Sequence, residues 1–324
     1  MGTEAIKISG RIAVIVPCYK PGGRVVDVVR SIGSEVDFII CVDDACPQGS
    51  ADLLEQNIKD TRLHIIRHSK NCGVGGATMT GWKKGLELGA DILVKVDADG
   101  QMDATKISAL VRPLLDGSGD YAKGNRFYDP AGTRAMPPLR LFGNAVLSFL
   151  TKLSSGYWDV FDPTNGFTAI EARVVAHLPL DRIDARYFFE SDVLFRLYLA
   201  RAVVIDVPME AHYQGEPSQL DPLRVAPGFF GKNVKNIFKR TLYTYFLRDF
   251  RPASLNLIFG LPLMIFGLVY GAHSWIANAF SGHLTSAGQV MIAALPIILG
   301  MQMVLAALNE DIANVPKRPI HPFL

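Results

Sequence analysis

Charge of one sign is what this chain most plainly lacks: 33 lysines and arginines stand against 31 aspartates and glutamates in 324 residues, a formal net charge of +2. That balance carries no electrostatic footprint for nucleic acid, so no nucleic-acid partner is expected. Cysteine is scarce as well. Cys18, Cys41, Cys46 and Cys72 all fall in the first quarter and at no metal-binding spacing, which argues against a zinc module and against a disulfide-stapled fold. The N-terminal stretch has no basic-then-apolar signal pattern, so the expectation is a soluble part kept in a reducing cytoplasm with free thiols. The largest absence is local. From Pro252 to Leu308 there is no Asp, Glu, Lys or Arg, although the first 250 residues have the mixture of an ordinary soluble protein.

What is present centres on Asp91 to Ile107, DILVKVDADGQMDATKI. Ile92 to Val96 is apolar and branched apart from Lys95, as a strand buried in a parallel sheet should be. Asp97, Asp99 and Gln101 then follow at two-residue spacing, which in an extended segment turns all three side chains to one side. Two carboxylates and an amide oxygen suit a hard divalent cation, Mg²⁺ or Mn²⁺, that keeps open positions for phosphate oxygens. Asp103, just before a helical pattern from Thr105, reads as a helix N-cap.

Ahead of this stretch, strands are expected at Arg11 to Pro17, Asp37 to Val42 and Leu63 to Arg67, with helices from Arg24 to about Ile32 and from Ser50. Alternation of this kind implies an α/β fold with a doubly wound, mostly parallel sheet, whose ligands bind beyond the carboxyl ends of the strands. Pro17 and Tyr19, Asp43 and Asp44, and Asp97 and Asp99 all fall at such ends. For Asp43 and Asp44, turn chemistry at a strand-to-loop corner is the competing reading. Asn71 to Ala77, NCGVGGA, opens a helix running to about Leu88, but it lacks the third glycine of a dinucleotide fingerprint. Its use is a tight helix start whose N–H groups lie near a ligand phosphate.

In order and spacing, VPCYKPGG, VDDACPQGS, NCGVGGA and VDADGQMD resemble the signatures of the family 2 inverting glycosyltransferases of the GT-A fold. AKGNRF, LRLFGN, DPTNGFTA and RYFFESD extend the resemblance to the polyprenyl-phosphate branch, which includes the dolichol-phosphate mannose synthases. The resemblance implies a nucleotide-sugar donor, with UDP preferred over GDP, and a polyprenyl phosphate acceptor. It gives Pro17, Tyr19, Asp43, Asp44 and Asp97 to the nucleotide, and Asp97, Asp99 and Gln101 to the metal, with Asp99 the central ligand. Arg126 and Arg140 match positions that meet the lipid phosphate, a role suited to guanidinium. Where the family usually has a further basic side chain, this sequence has His212. Glu190 and Asp192 are the candidates for a general base if the acceptor is instead a sugar hydroxyl in polysaccharide synthesis; their plainer reading is the acidic first turn of a helix. A non-enzymatic nucleotide sensor is disfavoured because the set of acidic positions is complete.

The expected organisation is a cytoplasmic catalytic domain over 1–227, an amphipathic juxtamembrane region over 228–252, two membrane helices over 253–309 and a cytoplasmic tail over 310–324. Lys232, Lys235, Lys239 and Arg240 interleave with Phe230, Val234, Ile237, Phe238 and Leu242, as in a helix lying among lipid headgroups. The spans Ala253 to Ala277 and Ala287 to Leu308 are each about the ~20 residues that a bilayer needs. Basic residues before the first span and Lys317 and Arg318 after the second put both ends on the cytoplasmic side of a multi-pass protein of the cytoplasmic membrane. Gly267 and Gly271 offer a close-packing face, which would also serve a homo-oligomer, and Gln302 is expected to face protein.

Overall fold

The structure, a computed structural model, describes residues 10–126, 128, 138–209 and 222–324, without the side chains of 138–142, 144 and 222–226. Two compact units emerge, one of residues up to Ile237 together with Pro316–Leu324, the other Phe238–Val315.

The first unit is built on a seven-stranded sheet of order β3-β2-β1-β4-β6-β5-β7. β1 (Ile12–Cys18), β2 (Phe38–Asp43), β3 (Leu63–Arg67) and β4 (Ile92–Lys95) run parallel, β6 (Thr168–Glu171) runs antiparallel between β4 and β5 (Tyr121–Asn125), and β7 (Val204–Pro208) pairs parallel with β5. The branched apolar runs of β1, β2 and β4 are buried from end to end apart from Phe38, which is what helices on both faces of a sheet require. On one face, Ile12, Val14 and Val16 pack with Val25, Val28 and Val29 of α1 (Arg24–Ser31) and with Ile107, Leu110 and Val111 of α4 (Ile107–Leu115). On the other lies α3 (Val74–Glu87), close enough that a Cβ on Gly81 would overlap Ile15 and one on Gly85 would overlap Leu93. α2 (Ser50–Asn57) follows β2, α5 (Pro138–Ser155) follows β5, α6 (Ala172–His177) follows β6, and α7 (Phe189–Ala200) precedes β7.

The last residues of the chain also belong to this unit. Asp120, fully buried just before β5, accepts hydrogen bonds from the backbone N–H groups of Ile320 at 3.0 Å and His321 at 2.9 Å, and its oxygen lies 2.8 Å from His321 Nδ1. The end of the tail is docked in this way because a buried carboxylate requires donors and the tail supplies them.

α8 (Pro222–Leu242) runs across the division between the units and continues into a wider π-type turn, Tyr243–Arg248. In the second unit, α9 (Pro252–Ser281) and α10 (Ala287–Ala313) form an antiparallel hairpin, each helix long and apolar enough to cross a membrane. They approach through Gly260, Gly267 and Gly300; a Cβ on Gly267 would stand 2.6 Å from the carbonyl oxygen of Ala293, and one on Gly300 2.6 Å from that of Gly260. Close approach through small residues is how helices associate where lipid removes the hydrophobic drive. Here it joins two helices of one chain. Gln302 is exposed, contrary to expectation: it lies two residues, about 200° of helical turn, from Gly300, and so points away from the packed face. Asp311, nearly buried, receives both Nη atoms of Arg240 at 2.6 and 2.9 Å and the Tyr245 hydroxyl at 2.5 Å.

Candidate active site

β4 ends at Lys95, and the chain then turns at Ala98 and Asp99, with Gly100 at φ +76° in the left-handed region that favours glycine. Asp97, Asp99 and Gln101 are thus displayed by a turn, not by the extended segment that their spacing suggested. Extension stops because Gly100 reverses the chain at once. Asp99 Oδ1 accepts the Gln101 N–H at 3.0 Å, and the Arg24 guanidinium donates to the Asp99 carbonyl at 3.5 Å. Burial, reinforced by the charge of Asp97, pushes the Asp99 carboxyl above the ordinary carboxylate range. Two carboxylates held close enough to raise one of them form a site that a divalent cation would relieve, and the donors are the hard oxygens that Mg²⁺ or Mn²⁺ takes. The Gln101 side chain is exposed beside them. Asp103 caps the short 3₁₀ turn Ala104–Lys106, accepting from the Thr105 N–H and hydroxyl.

The turn is held from beneath by Lys95, which is 1 % exposed. Its Nζ lies 2.6 Å from Asp97 Oδ1, 3.3 Å from Glu190 Oε1 and 3.4 Å from the Gly166 carbonyl. Burial alone would lower this ammonium, but Asp97 and Glu190 outweigh it and raise its pKa above the ordinary lysine value. Lys123 on β5 is fully buried and donates to the Asn165 carbonyl. Burial pulls it down to about 8, with Glu190 and Asp162 opposing.

On the β2 side both acidic side chains point into loops. Asp43 accepts from the Cys46 N–H at 2.7 Å and the Ala51 N–H at 2.9 Å. Asp44, 2 % exposed, accepts from the Cys72 and Gly73 N–H groups at 2.8 Å each and lies 2.7 Å from His68 Nδ1. These bonds brace the strand-to-loop corner, and Asp44 ties the end of β2 to the start of α3. Asp44, His68 and Cys72 lie close enough to share a metal ion, but the Asp44 oxygens already accept backbone N–H groups, and His68 Nε2 is 3.0 Å from the Thr80 hydroxyl. Asp44→Ala is expected to lower stability by about 2–3 kcal/mol, since two half-buried N–H groups lose their acceptor at about 1–3 kcal/mol each when fully desolvated. A melting temperature within a degree of the parent would remove this anchoring role. Pro17 is buried in β1, whereas Tyr19 is 47 % exposed beyond it. The loop carrying Tyr19 is joined to the β2 loop by Lys20 N–H to Cys46 Sγ at 3.1 Å and Gly22 N–H to Gln48 Oε1 at 2.9 Å.

On the β5 side, the Arg126 guanidinium is gripped by both oxygens of Asp162, Nε at 2.7 Å and Nη2 at 3.1 Å, and Asp162 is fully buried. Arg140 lies on α5, and its side chain is outside the described residues, as is His212 altogether. Glu190 and Asp192 sit in the first turn of α7. Glu190 turns to Lys95, while Asp192 accepts from the Asp184 N–H at 2.9 Å, from Asn236 Nδ2 at 3.2 Å and from the Arg196 guanidinium at 3.3 Å. The structure therefore joins Glu190 to the Asp97 turn and leaves Asp192 as an internal anchor. Sequence reasoning missed Lys123 and Asp162 as site elements, and passed over Lys95. The signal for Lys95 was present: a single lysine inside an otherwise apolar buried strand must have carboxylate partners.

A mostly parallel sheet with one antiparallel strand beyond β4, and an acidic turn at the end of β4, are the architecture of the GT-A fold. The chain belongs to glycosyl transferase family 2, whose family model matches residues 13–178. It is 32% identical over 216 residues, 62% of this chain and 86% of the relative, to the UDP-N-acetylglucosamine--dolichyl-phosphate N-acetylglucosaminyltransferase of Methanococcus voltae. Identity is 27% over 236 residues, 70% of this chain and 92% of the relative, with the undecaprenyl-phosphate mannosyltransferase of Micrococcus luteus. Among solved structures, glucosyl-3-phosphoglycerate synthase from Mycobacterium tuberculosis in complex with Mn²⁺ and uridine-diphosphate-glucose superposes with a TM-score of 0.53 at 18% identity, covering 72% of this chain and 79% of that one. At that identity the likeness is one of fold.

Proposed function

We propose that this glycosyltransferase moves a sugar from a nucleotide-sugar donor to a polyprenyl phosphate at the cytoplasmic face of the membrane, with inversion at the anomeric carbon. The observation that carries the choice of acceptor is the state of the two candidate bases: Glu190 is paired with Lys95, and Asp192 is consumed by three internal donors. A sugar hydroxyl needs a base to take its proton. A phosphate oxygen is already ionised at neutral pH and needs only positioning and charge compensation. Arg126, held in a two-point grip by Asp162, would supply that compensation, with Arg140 as its companion. The names of the relatives support the same acceptor class, since both act on polyprenyl-type phosphates.

On the donor side, Asp97, Asp99 and Gln101 would hold Mg²⁺ or Mn²⁺, with Asp99 the central ligand. When bound there, the cation acts as a Lewis acid that neutralises charge building on the leaving diphosphate. Tyr19 and the loops fixed by Asp43 and Asp44 would wall the base and ribose. UDP is the preferred nucleotide, in keeping with the donor named for the Methanococcus voltae relative. Direct attack by the acceptor phosphate on an α-linked donor gives a β-linked product.

Purified protein supplied with a divalent metal, polyprenyl phosphate and a panel of nucleotide sugars should yield an organic-extractable glycolipid. Transfer to a free sugar or a polysaccharide end, with polyprenyl phosphate ignored, would replace this reading by the hydroxyl-acceptor one.

The proposed topology has α9 and α10 crossing the bilayer, with residues up to about 227 and the tail on the cytoplasmic side and 228–252 at the interface. Two crossings return the chain to its starting side, which is consistent with the tail belonging to the same unit as the sheet. Lys317 and Arg318 favour the cytoplasm for that side. A cysteine at Ser281 is expected to react with an impermeant thiol reagent outside the cell and one at Arg318 to stay protected. The reverse labelling would overturn the orientation.

A further inference from the structure

Lys95 and Lys123 are both register partners of Thr168, Lys95 across the β4–β6 ladder and Lys123 across the β5–β6 ladder. Directly paired residues share a face of the sheet, so the two lysines flank Thr168 on one side, and Glu190 of α7 reaches Lys95 there. Neither ammonium reaches water: the residues are 1 % and 0 % exposed. A buried charge persists only where it is paired, and what these two pair with is informative.

Besides its carboxylates, Lys95 meets the carbonyl of Gly166 at 3.4 Å, and Lys123 donates to the carbonyl of Asn165. Two successive carbonyls of one loop are thus each held by one lysine. That loop is the segment 162–166, whose Asp162 grips Arg126 and whose Asn165 Nδ2 donates to the Gly124 carbonyl at 2.6 Å. Its other end lies against the acidic turn. A Cβ built on Gly166 would stand 2.6 Å from Lys95 Nζ and 2.7 Å from Asp97 Oδ2. Asp97 is therefore fixed from two sides, one oxygen by the Lys95 ammonium and the other close to a glycine that leaves it room.

We propose that Lys95 is a positioning residue that sets Asp97 for the donor's metal, and that the 162–166 loop, pinned by Lys95 and Lys123, holds the acceptor arginine in register with it. In-line attack demands that the donor's anomeric carbon and the acceptor oxygen be placed together, and one rigid strip from Asp97 to Arg126 does so without either substrate touching a lysine. This inference rests on the glycosyltransferase reading above. It differs from a role in which the lysines merely neutralise Glu190, because that role leaves metal affinity unmoved when Lys95 is replaced by methionine.

The test uses the full chain in nanodiscs and reads Mn²⁺ binding by electron paramagnetic resonance in the presence of UDP, with no acceptor and no turnover. Lys95→Met should raise the Mn²⁺ dissociation constant about 10- to 100-fold, the range typical of lost groups that orient metal ligands. Gly166→Ala should raise it about 10-fold with both Lys95 and Asp97 present, since the added methyl meets the ends of those side chains. Lys123→Met should leave Mn²⁺ binding within about twofold and raise KM for polyprenyl phosphate about 10-fold, with a smaller change in kcat. If Lys95→Met fails to fold, Gly166→Ala decides the matter. Unchanged Mn²⁺ affinity in folded Gly166→Ala overturns the proposal, as does unchanged affinity in folded Lys95→Met. A parent protein that binds neither Mn²⁺ nor UDP would instead overturn the donor-site reading on which it stands.

Discussion

Asp99→Asn is expected to lower kcat/KM by on the order of 10³-fold, about 4 kcal/mol of transition-state stabilisation at ~1.36 kcal/mol per decade. The change is nearly isosteric, so packing is preserved. It removes one of the two charges that would balance a divalent cation. Asp99 is the carboxyl that burial and Asp97 have raised, so it has the most to gain from such a cation. Replacing it with an amide relieves the repulsion, and the apo protein should melt at the same temperature or slightly higher. The loss of activity should therefore come without loss of stability, which separates a functional carboxylate from a structural one. Full activity in a folded Asp99→Asn chain, or undiminished activity in chelator, would take the metal out of the reaction.

Arg126→Ala should raise KM for polyprenyl phosphate about 10- to 100-fold while nucleotide binding stays within about twofold; hydrogen bonds to charged groups are worth about 1.5–3 kcal/mol. The substitution has a second consequence. It takes the guanidinium from the fully buried carboxylate of Asp162, which among the described residues keeps only the longer bonds from the residue-126 N–H and the Thr164 hydroxyl, and losing one partner of a buried pair costs up to about 3–5 kcal/mol of stability. Asp162→Asn separates the two effects, because it keeps the guanidinium but loosens its two-point grip. That variant should show a smaller rise in acceptor KM, in the same direction, with donor affinity again unchanged. Equal losses of donor and acceptor binding in both variants would mean that the Arg126–Asp162 pair serves the fold alone.

Much of the fold could be read directly. The strands at β1 to β4, the helices between them and the apolar pair α9 and α10 follow from composition and period over short windows, and their boundaries moved by only a residue or two except where α9 and α10 run on beyond the expected spans. Local patterns suffice there because each element's burial is written in its own side chains. The strand β6, inserted antiparallel between β4 and β5, has no such mark. Its four residues, TAIE, would suit either direction, and its place depends on which edges remain unpaired once β1 to β4 have formed. Gln302 shows the same limit in the second unit. Its polarity argued for a protein-facing position, but the glycines at 260, 267 and 300 fixed which side of α10 is covered.

The site divides along the same line. By itself the sequence determined the chemistry available: acidic oxygens after β4, arginines after β5, acids at the start of α7 and an uncharged stretch able to cross a membrane. Residue type and order sufficed, because they limit what a group can bind whatever surrounds it. Only the tertiary structure decided what each group is free to do. Asp43 and Asp44 accept backbone N–H groups, Asp192 faces an internal cation and amides, and Glu190 faces Lys95, whereas Asp99 keeps a raised carboxyl at the turn. The reason is that a carboxylate's role is set by the donors within about 3 Å of its oxygens, and those donors come from residues far away in sequence.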